Sequence, residues 1–321
     1  MKRTLIALLL VVIAASLVLS GCSPKAQFLT LGTGGTTGVY FPIGGSLGQI
    51  WQKELKGLTV DVKSTGASVA NINMFSAADV KDRADVVIVQ NDIAHYAYTG
   101  TEMFAGKKVE GIRAIASLYD EAVQIVVATN SGITSVADLK GKRVSVGAAA
   151  SGTEANARQI LEAFGLTYSD MTVSYLNFAN SEAGLKDGQL DAFFATTGIG
   201  NATIVSLSSE GKATIIPLVG ANVANLVAKY PFYSKITIPA NTYKNQTFAV
   251  ETVSVKAILI ARADLTEKMV YDLTKALYKN LADLGAAHAR GKDVTLANAK
   301  VGLTLPVHAG AQKYFTEQKV K

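Results

Sequence analysis

Short apolar runs that end in glycine and hydroxyl residues and then open into helical stretches recur along this chain, and that recurrence restricts the folds available to it. Residues 28–31 read as a strand, and residues 39–54 as a helix with Pro42 in its first turn. Residues 58–62 predict a strand, 68–77 a helix, 84–89 an apolar strand bounded by charges, 92–98 a short helix and 112–118 another strand. A second unit repeats the pattern: strand 123–128, a short helix and turn over 136–142, strand 144–147, and an amphipathic helix over 153–164 stopped by Gly165. Strand 173–176, helix 181–187 and strand 191–195 follow. Near the end, 253–261 reads as a strand and 265–284 as one long helix, entered from Asp264 and closed by Gly285. Such β-α-β alternation implies a mostly parallel sheet with helices on both faces.

The N-terminus carries a different message. Met1-Lys2-Arg3 is basic, residues 5–19 are almost unbroken apolar, and Leu19-Ser20-Gly21-Cys22 follows at once. This is the layout of a secretory signal, and the run falls short of the roughly 20 residues that span a bilayer. Leu-Ser-Gly-Cys resembles the bacterial lipoprotein box, in which the cysteine is lipidated on sulfur and becomes the new N-terminus; the other reading is an ordinary cut near Gly21 that leaves a spare thiol. On the lipoprotein reading, residues 1–21 are a signal peptide and 22–27 an anchor and tether. The mature chain then keeps 300 of the 321 residues, its formal charge falls from +6 to +4 with Lys2 and Arg3, and it lies outside the cytoplasm, in the periplasm or on the cell surface, held to the membrane through Cys22. Cys22 is the sole cysteine, so disulfides and cysteine-ligated metals are excluded once it is lipidated. Hydrophobic residues at 49% and charged residues at 17% describe a compact globular chain, of a length comfortable for two lobes. The mild basic balance contains no run long enough for a nucleic-acid footprint and suits small anionic or zwitterionic solutes.

The densest loop, 32–42, reads Gly-Thr-Gly-Gly-Thr-Thr-Gly-Val-Tyr-Phe-Pro. Between a strand and a helix it sets unpaired backbone N–H groups at the positive end of a helix dipole, a ready site for an anion or carboxylate. It is not a dinucleotide fingerprint, because Thr37 stands where the third glycine belongs, nor a P-loop, because no Gly-Lys-Ser/Thr closes it. Ala150-Ser151-Gly152-Thr153-Glu154 is its counterpart in the second unit, although Ser151 or Thr153 also suits a plain helix cap. Two such mouths facing each other can clamp one small ligand. Ser64 to Ser68 with Asn71, Gln90 to Asp92, and the hydroxyls Thr196 and Thr197 end or follow strands at the edge where open α/β sheets gather ligands. Each alone is as well explained by capping or turn formation.

Enzyme chemistry is hard to assemble. The three histidines, His95, His288 and His308, lack metal-ligand spacing to one another, and no Gly-x-Ser-x-Gly elbow occurs. Neither catalytic residues, nor a metal, nor a cofactor is expected.

In order along the chain stand the motif from Leu31 to Gly44, then Ser64-Thr-Gly-Ala-Ser-Val-Ala-Asn71, Ala84-Asp-Val-Val-Ile-Val-Gln-Asn-Asp92, Asp138-Leu-Lys-Gly-Lys-Arg-Val-Ser-Val-Gly147 and Ser151-Gly-Thr153. Together this set resembles the TAXI-type solute-binding proteins of tripartite ATP-independent periplasmic (TRAP) transporters, over nearly the whole mature chain. The resemblance implies an α/β, two-lobed periplasmic-binding-protein-like (type II) fold with a hinge and an interlobe ligand cleft. Lobe 1 would take 28–120 plus 256–321 and lobe 2 would take 121–255. It implies capture of a small carboxylate, glutamate, glutamine or a dicarboxylate such as 2-oxoglutarate, for delivery to TRAP membrane permease subunits. The implied ligand residues are Thr36, Thr37, Gly38, Tyr40, Thr65, Ser68, Asn71, Gln90, Ser151, Gly152, Thr153 and Thr196, with Tyr40 packed on the ligand's carbon chain. No arginine is among these ligand residues, so carboxylates would be held by dipoles and hydroxyls. Asn91 and Ala67 depart from the serine and glycine more usual there. Glu154 has two readings, an acceptor for a ligand amine or a favourable charge at a helix N-terminus. Alternatives keep the binding role but pass the solute to an ABC importer or a sensor, or make the chain a bilobal extracytoplasmic enzyme.

Overall fold

A computed structural model describes residues 27–77 and 79–320. The expected signal peptide over 1–21, Cys22 and most of the expected tether lie outside the described residues. The first half runs β1 (Gln27–Gly32), α1 (Tyr40–Glu54), β2 (Leu58–Lys63), α2 (Ser68–Met74), β3 (Val86–Gln90), α3 (Asn91–Thr99) and the long β4 (Ile112–Ala128). The second half runs β5 (Arg143–Ser145), α4 (Gly152–Ala163), β6 (Thr172–Ser174), α5 (Phe178–Lys186), β7 (Ala192–Thr197), α6 (Ala202–Ser209), β8 (Ala213–Ile216), α7 (Ala221–Lys229) and β9 (Ser234–Ile238). The chain then returns through β10 (Val250–Arg262), α8 (Glu267–Lys279), α9 (Leu281–Ala287) and α10 (Ala309–Glu317).

Local chemistry explains the elements. In α1 the apolar residues Ile43, Leu47, Ile50 and Trp51 recur at helical spacing and are buried, and Trp51 Nε1 donates to Leu273 O at 3.0 Å, which fastens α1 to α8. Strand β3 reads Val-Val-Ile-Val-Gln and is buried throughout, as expected of a strand covered on both faces. Ser151 caps α4 by accepting from Glu154 N at 3.1 Å, and Asn177 caps α5 by accepting from Asn180 N at 2.9 Å.

Among the described residues one ten-stranded sheet has the order β2-β1-β3-β10-β4-β7-β5-β6, with β8 also paired to β4 and β9 to β10. The expectation of a mostly parallel sheet needs correction. Both flanks are parallel, β1 with β2 and β3, and β5 with β6 and β7, but β3–β10, β10–β4 and β4–β7 are antiparallel. The cause is β4 and β10, which run in opposite directions through the middle and belong to both halves. Residues 112–118 and 123–128 are therefore one strand, not two. The acids between them do not end it: Asp120 pairs with Lys256 Nζ at 2.7 Å on neighbouring β10, and Glu121 turns inward.

The long C-terminal helix is also two. At Asn280 the backbone leaves the helix (φ −119°, ψ 35°), and Asn280 Nδ2 donates to Ala276 O at 2.9 Å and Glu54 Oε1 at 3.2 Å, a side-chain competitor to the helical ladder. Thr266, not Asp264, caps α8 by accepting from Met269 N. Gly285 lies inside α9 rather than ending it.

Candidate functional site

The C-terminal ends of β1, β3, β5 and β7 converge on one cavity, of about 70 Å³. A single water needs about 10–15 Å³ by the same measure, so the space suits a compact solute. Its walls come from both halves: the 34–40 loop, 65–68, Gln90 and Glu121 on one side, and Ala148, Ser151 to Thr153, Asn177, Phe178, Thr196 and Thr197 on the other. The halves touch around it. Ala70 N donates to Ala150 O at 3.0 Å, and Asn201 Nδ2 donates to Thr37 O at 3.1 Å. The first turns of α1, α4 and α5 open onto the cavity, bringing unsatisfied N–H groups and the positive ends of three helix dipoles.

Of the residues singled out from sequence, Thr37, Gly38, Tyr40, Thr65, Ser68, Gln90, Ser151, Gly152, Thr153 and Thr196 all line this cavity. Thr36 does not: it is exposed at the outer side of its loop. Asn71 does not either. It is fully buried behind the wall, where Nδ2 donates to Thr33 O at 2.6 Å and Ile88 O at 2.8 Å and Oδ1 accepts from Thr65 Oγ1 at 2.6 Å. Asn71 therefore braces the first two loops against β3. Tyr40 is engaged in a way the sequence did not announce, its hydroxyl donating to Glu121 Oε2 at 2.6 Å. Ser68 Oγ accepts from Gln90 N at 3.1 Å. Gly152 permits a close approach: a Cβ there would collide with the end of the Gln90 side chain, which would have to shift.

Both departures from the family pattern have a structural setting. Ala67 has φ 71° and ψ −146°, a conformation that favours glycine and strains any other residue. Asn91 faces away from the cavity, donating to Gly302 O at 3.0 Å and accepting from Lys256 N at 3.1 Å, and so ties the C-terminal return to α3. Glu154 is also outside the lining. It accepts from Tyr168 OH at 2.7 Å and faces Arg158 at 3.7 Å. Nor do the histidines reach the cavity, and His288 and His308 accept from the backbone N–H of Arg290 and Gly310 as caps.

Glu121 is the residue that sequence reasoning missed. It is 3% exposed, and burial, reinforced by Asp92 and Asp120 and only partly offset by the Tyr40 hydrogen bond, pushes its carboxyl up to about 8. The available signal was an acid interrupting two apolar runs. Asn177 and Phe178 were missed as well, because the helix expected over 181–187 in fact begins at Phe178 with Asn177 as its cap.

A second polar cluster joins the halves away from the cavity lining. Asp92 Oδ2 on α3 accepts from Asn156 Nδ2 on α4 at 2.9 Å, and the same amide donates to Tyr233 OH at 2.8 Å. Tyr233 OH donates to Gln159 Oε1 at 2.7 Å, and Gln159 Nε2 donates to Tyr96 OH at 3.1 Å. Burial pushes Asp92 up to about 6, against the lowering effect of its amide and backbone donors.

A sheet crossed by two shared strands, with a cavity between its halves at the strand ends, defines an α/β periplasmic-binding-protein-like fold. The chain belongs to the NMT1-like family, with a match that spans residues 31–318. Its fold is similar to that of MatC (Rpa3494) from Rhodopseudomonas palustris with bound malate, at 14% identity and a TM-score of 0.56, covering 91% of this chain and 97% of that one. It is similar to a putative L-cystine ABC transporter from Listeria monocytogenes (18% identity, TM-score 0.51, 83% of this chain and 95% of that one). It is likewise similar to the alkanesulfonate-binding protein SsuA from Xanthomonas axonopodis pv. citri bound to MOPS (15% identity, TM-score 0.50, 91% of this chain and 84% of that one).

Proposed function

We propose that this protein captures a small carboxylate, an amino acid of the glutamate or glutamine kind or a dicarboxylate such as 2-oxoglutarate, and hands it to a membrane permease. The observation that carries the reading is the cavity itself: set between two halves, walled by hydroxyls and the N-termini of three helices, with Glu121 as its single charged lining residue among those described. In such a site backbone N–H groups and hydroxyls replace the water of a ligand carboxylate. The similarity of the fold to a protein with bound malate supports a carboxylate solute. Ligand contacts are assigned to Thr37, Gly38, Tyr40, Thr65, Ser68, Gln90, Ser151, Gly152, Thr153 and Thr196. Thr36 and Asn71 are assigned to the loop and its brace. The role is capture and release, with the lobes 28–120 plus 256–321 and 121–255 closing about β4 and β10 at Asp120–Glu121 and Val255–Lys256, which pair with one another.

The ordered motifs favour a TAXI-type protein working with TRAP permease subunits outside the cytoplasm, anchored through Cys22. A second reading, delivery to an ABC importer, is favoured by the likeness to the Listeria protein. An adjacent gene for a long multi-spanning permease, rather than an ATPase, decides between them. The capture reading itself is tested by a thermal-shift screen of the chain from Ser23 onward, unfolded and refolded to remove any bound solute. A ligand at 100 times its Kd adds about 2.7 kcal/mol, and a shift with small carboxylates is expected. Silence across glutamate, glutamine, 2-oxoglutarate, succinate and neutral amino acids removes the carboxylate assignment.

A further inference from the structure

The cavity has two chemically distinct poles. One is made of donors: the first turns of α1, α4 and α5, and the Ser151 hydroxyl, whose oxygen is taken up as the cap of α4 while its hydrogen is free. The other is made of acceptors. Glu121 reaches the lining with only the Tyr40 hydroxyl on it. Gln90 Oε1 and Thr196 Oγ1 both line the cavity, are buried, and have no hydrogen-bond partner. Thr196 lies opposite Val123 in the β4–β7 ladder, two residues beyond Glu121, and Gln90 ends β3 on the other side of β10.

We infer that the acceptor pole, Glu121 with Gln90 and Thr196, is an ammonium site, so that the captured solute is an amino acid and not a simple dicarboxylate or oxo acid. This rests on the capture reading above and narrows it. A protonated amine has three N–H donors and no acceptor, and here three acceptor groups line one small cavity. Burial without a cation holds the Glu121 carboxyl protonated near neutral pH, and a cation beside it draws it to the ionised, acceptor-only form. Among the described lining residues there is no Lys, Arg or His to supply the countercharge. A ligand ammonium supplies it, while its own carboxylate takes the helix N-termini. A solute with carboxylates alone leaves Gln90 Oε1 without a donor and sets its negative charge beside Glu121, whereas the Thr196 hydroxyl, donor and acceptor alike, serves either solute. The amine-accepting role that the sequence offered to Glu154 therefore belongs to Glu121, since Glu154 faces Arg158 and Tyr168 instead.

The test is calorimetric titration of the protein from Ser23 onward with L-glutamate, L-glutamine and L-valine, with the oxo acid counterparts 2-oxoglutarate and 2-oxoisovalerate, and with succinate. The wild type is expected to bind at least one amino acid about 100-fold tighter than the matching oxo acid or diacid. Glu121→Gln keeps the shape and the Tyr40 contact but removes the charge. It is expected to weaken the amino acid at least tenfold, leave the oxo acid unchanged or tighter, and so collapse the preference. Glu121→Asp, which keeps the charge, retains the preference and serves if the glutamine variant unfolds. Tighter binding of an oxo acid or succinate by the wild type overturns the ammonium site and leaves carboxylate capture standing. So does a preference that survives Glu121→Gln. Binding of none of these solutes by folded, solute-free protein overturns both.

Discussion

Two buried acids sit between the halves of this molecule, and they have been answered differently. Asp92 lies in a sealed polar seam, its Oδ2 held by Asn156 and the chain continued through Tyr233, Gln159 and Tyr96. Glu121 stands at the edge of the cavity with a single donor, the Tyr40 hydroxyl. Burial raises both carboxyls, Asp92 to about 6 and Glu121 to about 8. The difference is in who supplies the missing partner. In the seam the Asn156 amide does so for Oδ2, across the two halves, which makes a structural joint. At Glu121 the place is left to what enters the cavity. Asp92 Oδ1 and Asn156 Oδ1 in the seam also lack partners, so what separates the two acids is access: the seam lies away from the cavity lining, and Glu121 is part of it.

The sharpest way to break this contrast is to remove the seam's donor. Asn156→Ala takes from Asp92 its 2.9 Å side-chain partner and from Tyr233 its 2.8 Å one. Loss of one partner of a buried ionised group is expected to lower the unfolding free energy by about 3 kcal/mol at pH 8. At pH 5 the loss is smaller, because Asp92 is then protonated. Urea unfolding at the two pH values measures this. A loss below about 1 kcal/mol at both would mean the seam is not sealed.

The next effect is on pH. Both folded-state values lie above the ordinary 3.8 for Asp92 and 4.5 for Glu121, so the folded protein keeps protons that the unfolded chain has released. The stability these groups contribute is present below their ordinary values and is lost as pH rises through the raised ones. Between pH 6 and 8 the decline comes from Glu121 and amounts to about 2 kcal/mol, at a limit of about 1.4 kcal/mol per pH unit. Glu121→Gln is expected to flatten that interval and to leave the decline from about pH 4 to 6 in place. Thermal unfolding across the range reads both. A wild-type stability that rises from pH 6 to 8 contradicts the sign.

Smaller changes sharpen the cavity side alone. Gly152→Ala displaces the Gln90 side chain, a lining residue, from its place against the start of α4. Ligand affinity by calorimetry is expected to fall about tenfold, worth about 1.4 kcal/mol, with the unfolding midpoint in urea little changed. Ala67→Gly relaxes the strained backbone at φ 71°. Relief of about 1–3 kcal/mol of strain, less the added freedom of glycine in the unfolded chain, about 0.4–1 kcal/mol, predicts a gain of about 1 kcal/mol and a Tm higher by a few degrees. A lower Tm would show that the loop relies on the Ala67 methyl.

What the chain revealed on its own is what local chemistry encodes. Strand patterns, glycine and hydroxyl loops and helix caps are near-neighbour effects. Accordingly the Thr37–Tyr40, Thr65–Ser68 and Ser151–Thr153 mouths could be read as ligand-facing, and the cavity assembles them. The same local reading failed where a partner distant in sequence decides. It ended a strand at the acids Asp120 and Glu121, which Lys256 on β10 and Tyr40 on α1 accommodate. It ran one helix through Asn280, which Glu54 helps to break. It set Asn71 and Thr36 beside the ligand, when hydrogen bonds to Thr33 and Ile88 draw one behind the wall and the loop turns the other outward. And it weighed Glu154 for a role that geometry gives to Glu121. Sequence by itself determined which segments end in anion-ready mouths. Only the tertiary structure decided which carboxylate is buried among them, because burial and the choice of partner are properties of residues brought together from 81 positions apart.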